Sequence, residues 1–497
     1  MRGKYGRLAL LPGTGSVPDF LKLKPAMTID FKQRLFAAQA KYYSNNPHDI
    51  EIVREICEAL IALKREDELL LWANRALVLS PNAPDFVAMR AYSLNLLGRH
   101  AEAADTWARD PSLSGDLEVY RLRLGYSLMM AGDLARAIPL LEEARGMAAS
   151  SNVPILAPAE HLLGEAMLRA GDPRGFTHYL MRNRDPSAAG SYCPIGIPMW
   201  AGEKDLRGRR VLITHQLGFG DNFLLAACVA DWLNAGAKVM ISCDPQIHAL
   251  MQASLPECEI VSAPRPMRLD EALPNDMLAR VQAFAPHLYA TLLHLPLLNA
   301  DRAKPADLFS PYIQAPRAKQ EAASGWARQL RAQYPEKKLV GLFWDCNQRH
   351  MPELGSVDRC WAGRRSLPLE ALNWLVTNPA VADRVHFVSL HHPQVEAAAG
   401  TPTGNVSRYL PGIWHFDDTA ACIEQLDAVV AVDSSVANLA SMMGMPTCVP
   451  VNTSGEWRWG SNGTTSPWLS DVTVLRQTHE GDWAPVIRSI ASWLHTP

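Results

Sequence analysis

Two serines follow an aspartate at the point where a short apolar strand gives way to a helix. The valine-rich run 429–432 predicts a strand, and Gly444 ends the helix that begins after Asp433. In an open α/β sheet, ligands bind at the carboxyl ends of the strands, where helix N-termini offer free N–H groups. Asp433, Ser434 and Ser435 are therefore candidates for contacting a phosphorylated ligand, and a plain helix cap is the alternative.

A glycine-rich turn with a carboxylate follows an earlier predicted strand at 210–214. Asp221 stands at the start of the next helix and is a candidate general base that could deprotonate an acceptor hydroxyl or amide. An ordinary N-capping aspartate is the alternative, and His215 is a second possible base. The turn lacks the third glycine of a dinucleotide fingerprint, since residue 223 is phenylalanine, so NAD or FAD binding is weakly supported.

Two later segments supply arginines. The run 344–350, Trp-Asp-Cys-Asn-Gln-Arg-His, leaves a predicted strand, and 363–369 places two arginines before a predicted helix. Arginine is always charged and can bind phosphate through two parallel hydrogen bonds. Arg349, Arg364 or Arg365 could therefore neutralise a departing diphosphate, with plain surface charge as the alternative. No Asp-x-Asp triplet occurs, so a metal held by such a motif is not expected.

The elements that must position these residues alternate between buried strands and helices from residue 209 onward. This alternation is typical of doubly wound domains, and we expect one at 209–312 and another at 313–497. The predicted strands are 210–214, 238–242, one ending near 261, one in 288–295, 339–344, 385–390, 429–432 and one from 447. The predicted helices include 222–234, 367–377, 419–425 and 483–494. The carboxyl edges of both sheets would line a cleft.

The chain between residues 28 and 190 has helical periodicity and an internal repeat. Lys64, Gly98 and Gly132 lie 34 residues apart, each between two apolar segments, and Gly171 begins a looser fourth unit. This pattern resembles the tetratricopeptide repeat (TPR), whose units are paired antiparallel helices that form concave surfaces for peptides or proteins. A generic helical bundle is the alternative. Residues 185–208 are expected to be a linker, and residues 1–27 a flexible leader.

Composition excludes several other classes of protein. A net charge of −3 over 497 residues gives no sign of a nucleic-acid partner. The nine cysteines are scattered without a Cys-x-x-Cys pair, which argues against structural zinc and disulfides and favours a reducing, cytoplasmic location. No apolar run reaches the roughly 18–20 residues that a transmembrane helix needs.

The combined pattern resembles bacterial TPR glycosyltransferases of the GT-B fold, related to the lipopolysaccharide heptosyltransferase family and more distantly to the O-GlcNAc transferases. The motifs that carry the resemblance are Gly220-Asp221, Pro311-Tyr312-Ile313, Gly341-Leu-Phe-Trp344 with Asn347, Arg365-Ser-Leu-Pro-Leu369, Asp418-Thr419-Ala420, Asp433-Ser-Ser-Val-Ala-Asn-Leu-Ala440 with Gly444-Met-Pro446, and Trp457-Arg-Trp459 with Ser466-Pro-Trp468. It implies an α plus α/β fold, with helical TPR-like repeats followed by a GT-B pair of Rossmann-like domains.

The resemblance also implies a function. The chain would transfer a sugar from a nucleotide-sugar donor, with inversion and without a metal or other cofactor, to a protein or glycan acceptor presented by the repeats. Asp221 matches the position of the general base. The implied donor contacts are Gly220, Trp344, Asn347, Arg349, Arg365, Ser366, Asp418, Thr419, Asp433, Ser434, Ser435 and Asn438.

Two departures from the family pattern keep other functions open. Asn438 stands where the family often has histidine, and the segment between Trp344 and Arg365 is longer than usual. Both departures leave an altered donor or a loss of activity open as alternatives. The alternatives are a non-catalytic scaffold that binds partners through its repeats, and a nucleotide-sugar epimerase or hydrolase.

Overall fold

A computed structural model describes residues 25–44, 47–109, 116–151, 156–181, 190–266, 271–300, 304–350 and 356–495. The described residues form two compact units, one up to residue 167 and the other from residue 168 onward. Residues 168–181 therefore group with the second unit, although the sequence pattern assigned them to the repeats. The predicted leader lies outside the described residues up to residue 24.

The first unit is built from helices, the first seven of which pack against one another in chain order. They are α1 (Pro25–Ser44), α2 (Ile50–Leu63), α3 (Glu66–Leu79), α4 (Pro84–Leu96), α5 (His100–Ala108), α6 (Leu117–Met130), α7 (Leu134–Ser151) and α8 (Leu156–Arg169), whose last two residues group with the second unit. Helices α1 to α4 enclose an apolar core that includes Ile56, Leu60 and Phe86.

One turn recurs between the paired helices. Lys64, Gly98 and Gly132 all adopt a left-handed backbone, with φ of 57°, 78° and 85°. After each, the next residue's N–H donates to the carbonyl oxygen five residues earlier, over 3.0, 2.8 and 2.9 Å. This is the bonding of a glycine-terminated helix end. The 34-residue spacing therefore marks a repeated helical pair, and the TPR-like fold is confirmed; Gly171 also has a positive φ, of 76°.

Two sheets with only parallel strand pairs organise the second unit. The strands are β1 (Arg210–Thr214), β2 (Lys238–Cys243), β3 (Glu259–Ser262), β4 (Leu288–Thr291), β5 (Lys338–Phe343), β6 (Val385–Ser389), β7 (Val406–Arg408), β8 (Ala428–Ala431), β9 (Thr447–Val451) and β10 (Val472–Arg476). The first sheet has the order β3-β2-β1-β4, and the second has the order β10-β9-β8-β5-β6-β7. All eight predicted strands are present, and the pair of Rossmann-like sheets is confirmed; β7 and β10 were not predicted.

The second unit also contains helices, and most of them connect consecutive strands, as parallel pairing requires. They are α9 (Gly175–Tyr179), α10 (Phe219–Leu225), α11 (Val229–Asn234), α12 (His248–Ser254), α13 (Asn275–Phe284), α14 (Arg317–Gln333), α15 (Ser356–Arg365), α16 (Leu369–Thr377), α17 (Pro379–Ala382), α18 (Pro393–Ala399), α19 (Phe416–Ile423), α20 (Ser435–Met442) and α21 (Ala484–Leu494). Strands β8 and β9 are buried along their whole length, which explains their continuous apolar sequence. None of the helices in the described ranges is both long and apolar enough to cross a membrane.

The predicted junction between the two α/β domains connects their helices directly. The backbone N–H groups of Tyr312 and Ile313 both donate to the carbonyl of Met442, at the end of α20, over 2.9 and 3.0 Å. The Tyr312 hydroxyl donates to the carbonyl of Phe223 in α10 over 3.0 Å. A single short segment thus fixes α10 of the first sheet near α20 of the second.

Candidate functional site

The turns that follow β1 and β8 meet at the carboxyl edges of the two sheets. A Cβ atom added to Gly220 would lie 2.7 Å from Asn438 Nδ2 and 3.3 Å from Ser435 Cα. Only glycine allows the start of α10 to approach α20 this closely. The structure therefore brings together the turn that carries the candidate base and the turn that is the candidate binding site for a phosphorylated ligand.

Asp221 has two roles at the start of α10. Its Oδ2 accepts a hydrogen bond from the Gly218 N–H over 3.2 Å, which caps the helix. Its Oδ1 accepts a hydrogen bond from Arg458 Nη2 over 2.6 Å, and 25% of the side chain is exposed. The predicted base is thus a helix cap and one half of an ion pair.

Arg458 and its neighbour Glu456 are site residues to which the sequence analysis assigns no role. Arg458 is 4% exposed, and besides Asp221 it donates to Glu456 Oε2 over 2.8 Å and to Asn438 Oδ1 over 3.3 Å. Burial alone would lower the pKa of the guanidinium, but Asp221 and Glu456 outweigh burial and raise that pKa. A signal existed in the sequence, because an arginine between two tryptophans in an apolar segment must find a carboxylate when the segment is buried.

Aromatic packing fixes the backbone that carries Arg458. The Trp457 ring lies 5.6 Å from Phe176 and 5.5 Å from Trp468, both in edge-on geometry. The Arg458 guanidinium carbon lies 5.2 Å from the centre of the Trp457 ring, within the range of a cation–π contact. The Trp468 indole N–H also donates to the carbonyl of Leu168 over 3.1 Å. Arg458 therefore extends from a rigid, fully packed turn.

Arg365, one of the three arginines predicted as phosphate ligands, lies between two carboxylates. Its Nη1 is 4.0 Å from Asp433 Oδ2 and 3.9 Å from Glu456 Oε1. Burial raises the pKa of the Asp433 carboxyl, and the nearby Glu456 raises it further, whereas Arg365 and Arg458 oppose the change. Two arginines and three carboxylates thus form one network at the facing sheet edges.

The start of α20 uses a serine as its cap. Ser434 Oγ accepts from the Ala437 N–H over 3.4 Å, so a helix cap is part of what this residue does. Ser435 is the first residue of the helix. Asn438 Nδ2 donates to the carbonyl of Ser434 over 2.8 Å while its Oδ1 accepts from Arg458. The amide of Asn438 therefore links the cap of α20 to Arg458.

Two other predicted donor contacts support the loop after β5. Trp344 is 1% exposed, and its ring belongs to an apolar core with Leu342 and Leu367. Ser366 Oγ accepts from the Cys346 N–H over 2.9 Å and donates to the carbonyl of Ala362 over 2.9 Å. Both residues position the loop and have little surface of their own.

The remaining predicted contacts lie around neighbouring turns. Asp418 caps α19 and accepts from Lys319 Nζ over 2.6 Å, and the buried Thr419 donates to the carbonyl of His415 over 3.4 Å. Arg349 is half exposed and lies 3.2 Å from a carboxylate oxygen of the buried Asp345. The side chain of Asn347, the other predicted contact in this loop, lies outside the described part of the chain.

His215, the second possible base, is buried at the end of β1. Its Nδ1 lies 2.7 Å from Ser242 Oγ, and burial lowers the pKa of the imidazole to about 4. A neutral ring hydrogen-bonded to a serine supports the strand end. Across the described residues, no group of three or more His, Cys, Asp or Glu side chains is arranged to hold a metal ion.

Comparison with known proteins gives one relative in sequence and several in structure. No family model matches the chain. It is 23% identical to Protein FlbA of Caulobacter vibrioides over 518 residues, which covers 99% of this chain and 80% of that protein. The name of this relative states no activity.

The similar solved structures include glycosyltransferases. A family 9 glycosyl transferase from Veillonella parvula covers 58% of this chain and 91% of its own, at 12% identity and a TM-score of 0.38. The match to the E. coli ADP-heptose lps heptosyltransferase II covers 57% of this chain and 98% of that chain, at 13% identity and a TM-score of 0.35. The match to an O-GlcNAc transferase mutant from Thermobaculum terrenum covers 95% of this chain and 92% of that chain, at 14% identity and a TM-score of 0.28. These are the kinds of protein that the motifs resemble, but such low scores decide nothing about chemistry.

Proposed function

We propose that this chain is an inverting, metal-independent glycosyltransferase that moves a sugar from a nucleotide-sugar donor to a protein or glycan acceptor. One observation carries the proposal: Asp221 meets the Ser434 turn at the facing carboxyl edges of two parallel sheets, with Arg458 hydrogen-bonded to Asp221 over 2.6 Å. In α/β folds this edge is where ligands bind. A carboxylate, a helix N-terminus and two arginines suit a reaction that removes a proton and releases a diphosphate.

In the proposed reaction, Asp221 takes the proton from the acceptor hydroxyl or amide. The acceptor atom then forms a bond to the anomeric carbon on the side opposite the diphosphate. The bond between that carbon and the diphosphate oxygen breaks, and its electron pair leaves with the nucleoside diphosphate. Arg365, Arg458 and the N-terminus of α20 stabilise the charge that develops, and such preorganised groups typically contribute a few kcal/mol each.

The other predicted contacts have supporting roles in this proposal. Trp344 and Ser366 hold the loop that carries Arg349, whose half-exposed guanidinium can reach an anion from the solvent side. The TPR-like repeats of the first unit would present the acceptor, since helical repeats of this type form concave binding surfaces. We place the protein in the cytoplasm.

A non-catalytic scaffold is the second candidate, and one feature of the site favours it. Asp221 is already occupied by Gly218 and Arg458, and Arg365 lies between two carboxylates. A site that had lost its ligand could keep such a network for stability alone. Binding of a donor distinguishes the two functions.

The test combines ligand binding with a matched pair of variants. UDP-, GDP- and ADP-sugars and the free diphosphates are screened by thermal shift, and diphosphate release is measured with a cell-extract acceptor pool. Asp221→Asn keeps the shape of the side chain but removes the base, so we expect turnover to fall by about 10²–10⁴-fold. Asp231→Asn is the control, because it makes the same chemical change in α11, at an aspartate that is not part of the network around Asp221.

Three results would count against the proposal in different ways. If no nucleotide or nucleotide sugar stabilises the protein, the scaffold is favoured. If Asp221→Asn and Asp231→Asn turn over donor equally well, Asp221 is not the base. Full turnover without any acceptor would indicate an epimerase or hydrolase.

A further inference from the structure

Arg458 contacts the predicted base, Asp221, and also lies next to the turn that is predicted to bind the donor. We propose that Arg458 holds Asp221 in the ligand-free chain and transfers its hydrogen bonds to the diphosphate when the donor binds, which releases Asp221 for the acceptor. This inference rests on the proposed function and adds a residue and an order of events to it. The donor is then required before the base can act.

The ion pair explains why a release step is needed. Both carboxylate oxygens of Asp221 are engaged, Oδ2 by the Gly218 N–H and Oδ1 by Arg458. If Asp221 took a proton in this arrangement, the buried guanidinium would lose one of its counter-charges. Uncompensated buried charge is costly, so proton transfer is unfavourable while the pair lasts.

Arg458 can leave Asp221 without losing all of its partners. Glu456 accepts from the same Nη2 atom over 2.8 Å, and this carboxylate stays available as a counter-charge. The Nε atom of Arg458 has no hydrogen-bond partner among the residues that the structure describes. The guanidinium therefore has both a remaining counter-charge and a spare donor for an incoming oxygen.

Arg458 also lies within one side chain of the helix N-terminus that would hold the diphosphate. Its Nη1 donates to Asn438 Oδ1 over 3.3 Å, and Asn438 in turn donates to the carbonyl of Ser434, the cap of α20. A diphosphate bound at this cap would come close to a buried arginine. Arginine binds phosphate oxygens more strongly than it binds a neutral amide.

The experiment is a double-mutant cycle read by calorimetric binding of the free nucleoside diphosphate that stabilises the wild type most. Asp221→Asn weakens the competing ion pair, so we expect the Kd to fall about three- to tenfold. Arg458→Gln should raise the Kd for the diphosphate at least about tenfold and leave binding of the unphosphorylated nucleoside unchanged. In the Arg458→Gln background, Asp221→Asn should have no effect.

The effect of Asp221→Asn in the Arg458→Gln background distinguishes this inference from simple charge repulsion between Asp221 and the diphosphate. If repulsion from Asp221 alone opposed the diphosphate, Asp221→Asn would tighten binding equally with and without Arg458, and the inference would be overturned. It would also be overturned if Asp221→Asn left the wild-type Kd unchanged or raised it. If the wild type binds no nucleoside diphosphate, the proposed function itself fails.

A second variant keeps the test decisive if Arg458→Gln does not fold, as judged by circular dichroism and thermal unfolding. Arg458→Lys keeps the charge but lacks the planar fork that can serve two anions. In this background we expect Asp221→Asn to change the Kd by less than about twofold. A gain as large as that in the wild type would contradict the inference.

Discussion

The contact between α10 and α20 makes Gly220→Ala a sharp test of the structure. Gly220 is buried in the first turn of α10, and its added methyl group would lie 2.7 Å from Asn438 Nδ2. That nitrogen cannot swing away freely, since it donates to the carbonyl of Ser434 over 2.8 Å. Either Asn438 gives up its bonds to Ser434 and Arg458 or the two helices separate.

The expected loss follows from two opposing effects. Overpacking of a tight contact costs about 1–3 kcal/mol, and a lost hydrogen bond to the charged Arg458 costs about 1.5–3 kcal/mol. Alanine offsets up to about 1 kcal/mol of this, because it favours a helix more than glycine does. We therefore expect Gly220→Ala to lower the free energy of unfolding by about 2 kcal/mol.

Urea denaturation of Gly220→Ala and of Gly218→Ala measures the effect against a control two residues away. At Gly218 the added Cβ would meet only Asp221 Oδ2, at 3.5 Å, which is an ordinary contact. This control should cost less than about 1 kcal/mol, the usual penalty for alanine at a helix cap. In an Asn438→Ala background, Gly220→Ala should lose most of its cost. Equal losses at Gly220 and Gly218 would refute the packing argument.

Two further predictions concern stability elsewhere in the second unit. Gly325→Ala, inside α14, should raise the free energy of unfolding by about 0.4–1 kcal/mol in urea denaturation, because among the described residues nothing beyond the neighbouring backbone of its own helix lies within 4 Å of the new methyl group. A loss of stability would contradict this spacing. His391 accepts from the Trp344 N–H over 3.1 Å, and burial lowers the pKa of its ring to about 3, with His350 lowering it further. The ordinary pKa of about 6.5 applies in the unfolded chain, so the contribution of His391 is complete above that pH and is lost as the pH falls toward 3, by about 2 kcal/mol between pH 6.5 and 4.5. His391→Gln should flatten this part of the pH dependence of stability, and an unchanged slope would show that the imidazole is not held neutral.

Local sequence signals predicted the elements of this fold because their causes are local. The left-handed turns at Lys64, Gly98 and Gly132 depend on a helix end and its next few residues, so their spacing could be seen directly. Buried parallel strands such as β8 are apolar throughout because both faces of the sheet are covered, and this pattern is visible within each strand's own sequence. The strand ends then located the turns that hold Asp221 and Ser434.

Pairing between distant residues had no such signal. Asp221 and Arg458 are 237 positions apart in the chain, and only the docking of α10 against α20 brings them together. Each motif is visible separately in the sequence, but a short motif does not say which carboxylate a buried arginine will meet. The contact of Asn438 with Arg458 was hidden for the same reason.

The charges of this network show which groups can attract an anion into a site that contains three carboxylates. Burial raises the pKa of Asp433, so this carboxyl takes up a proton more readily than an exposed aspartate does. Arg365 and Arg458 carry the positive charge that faces these carboxylates. Together with the cap of α20, they supply the attraction for a diphosphate.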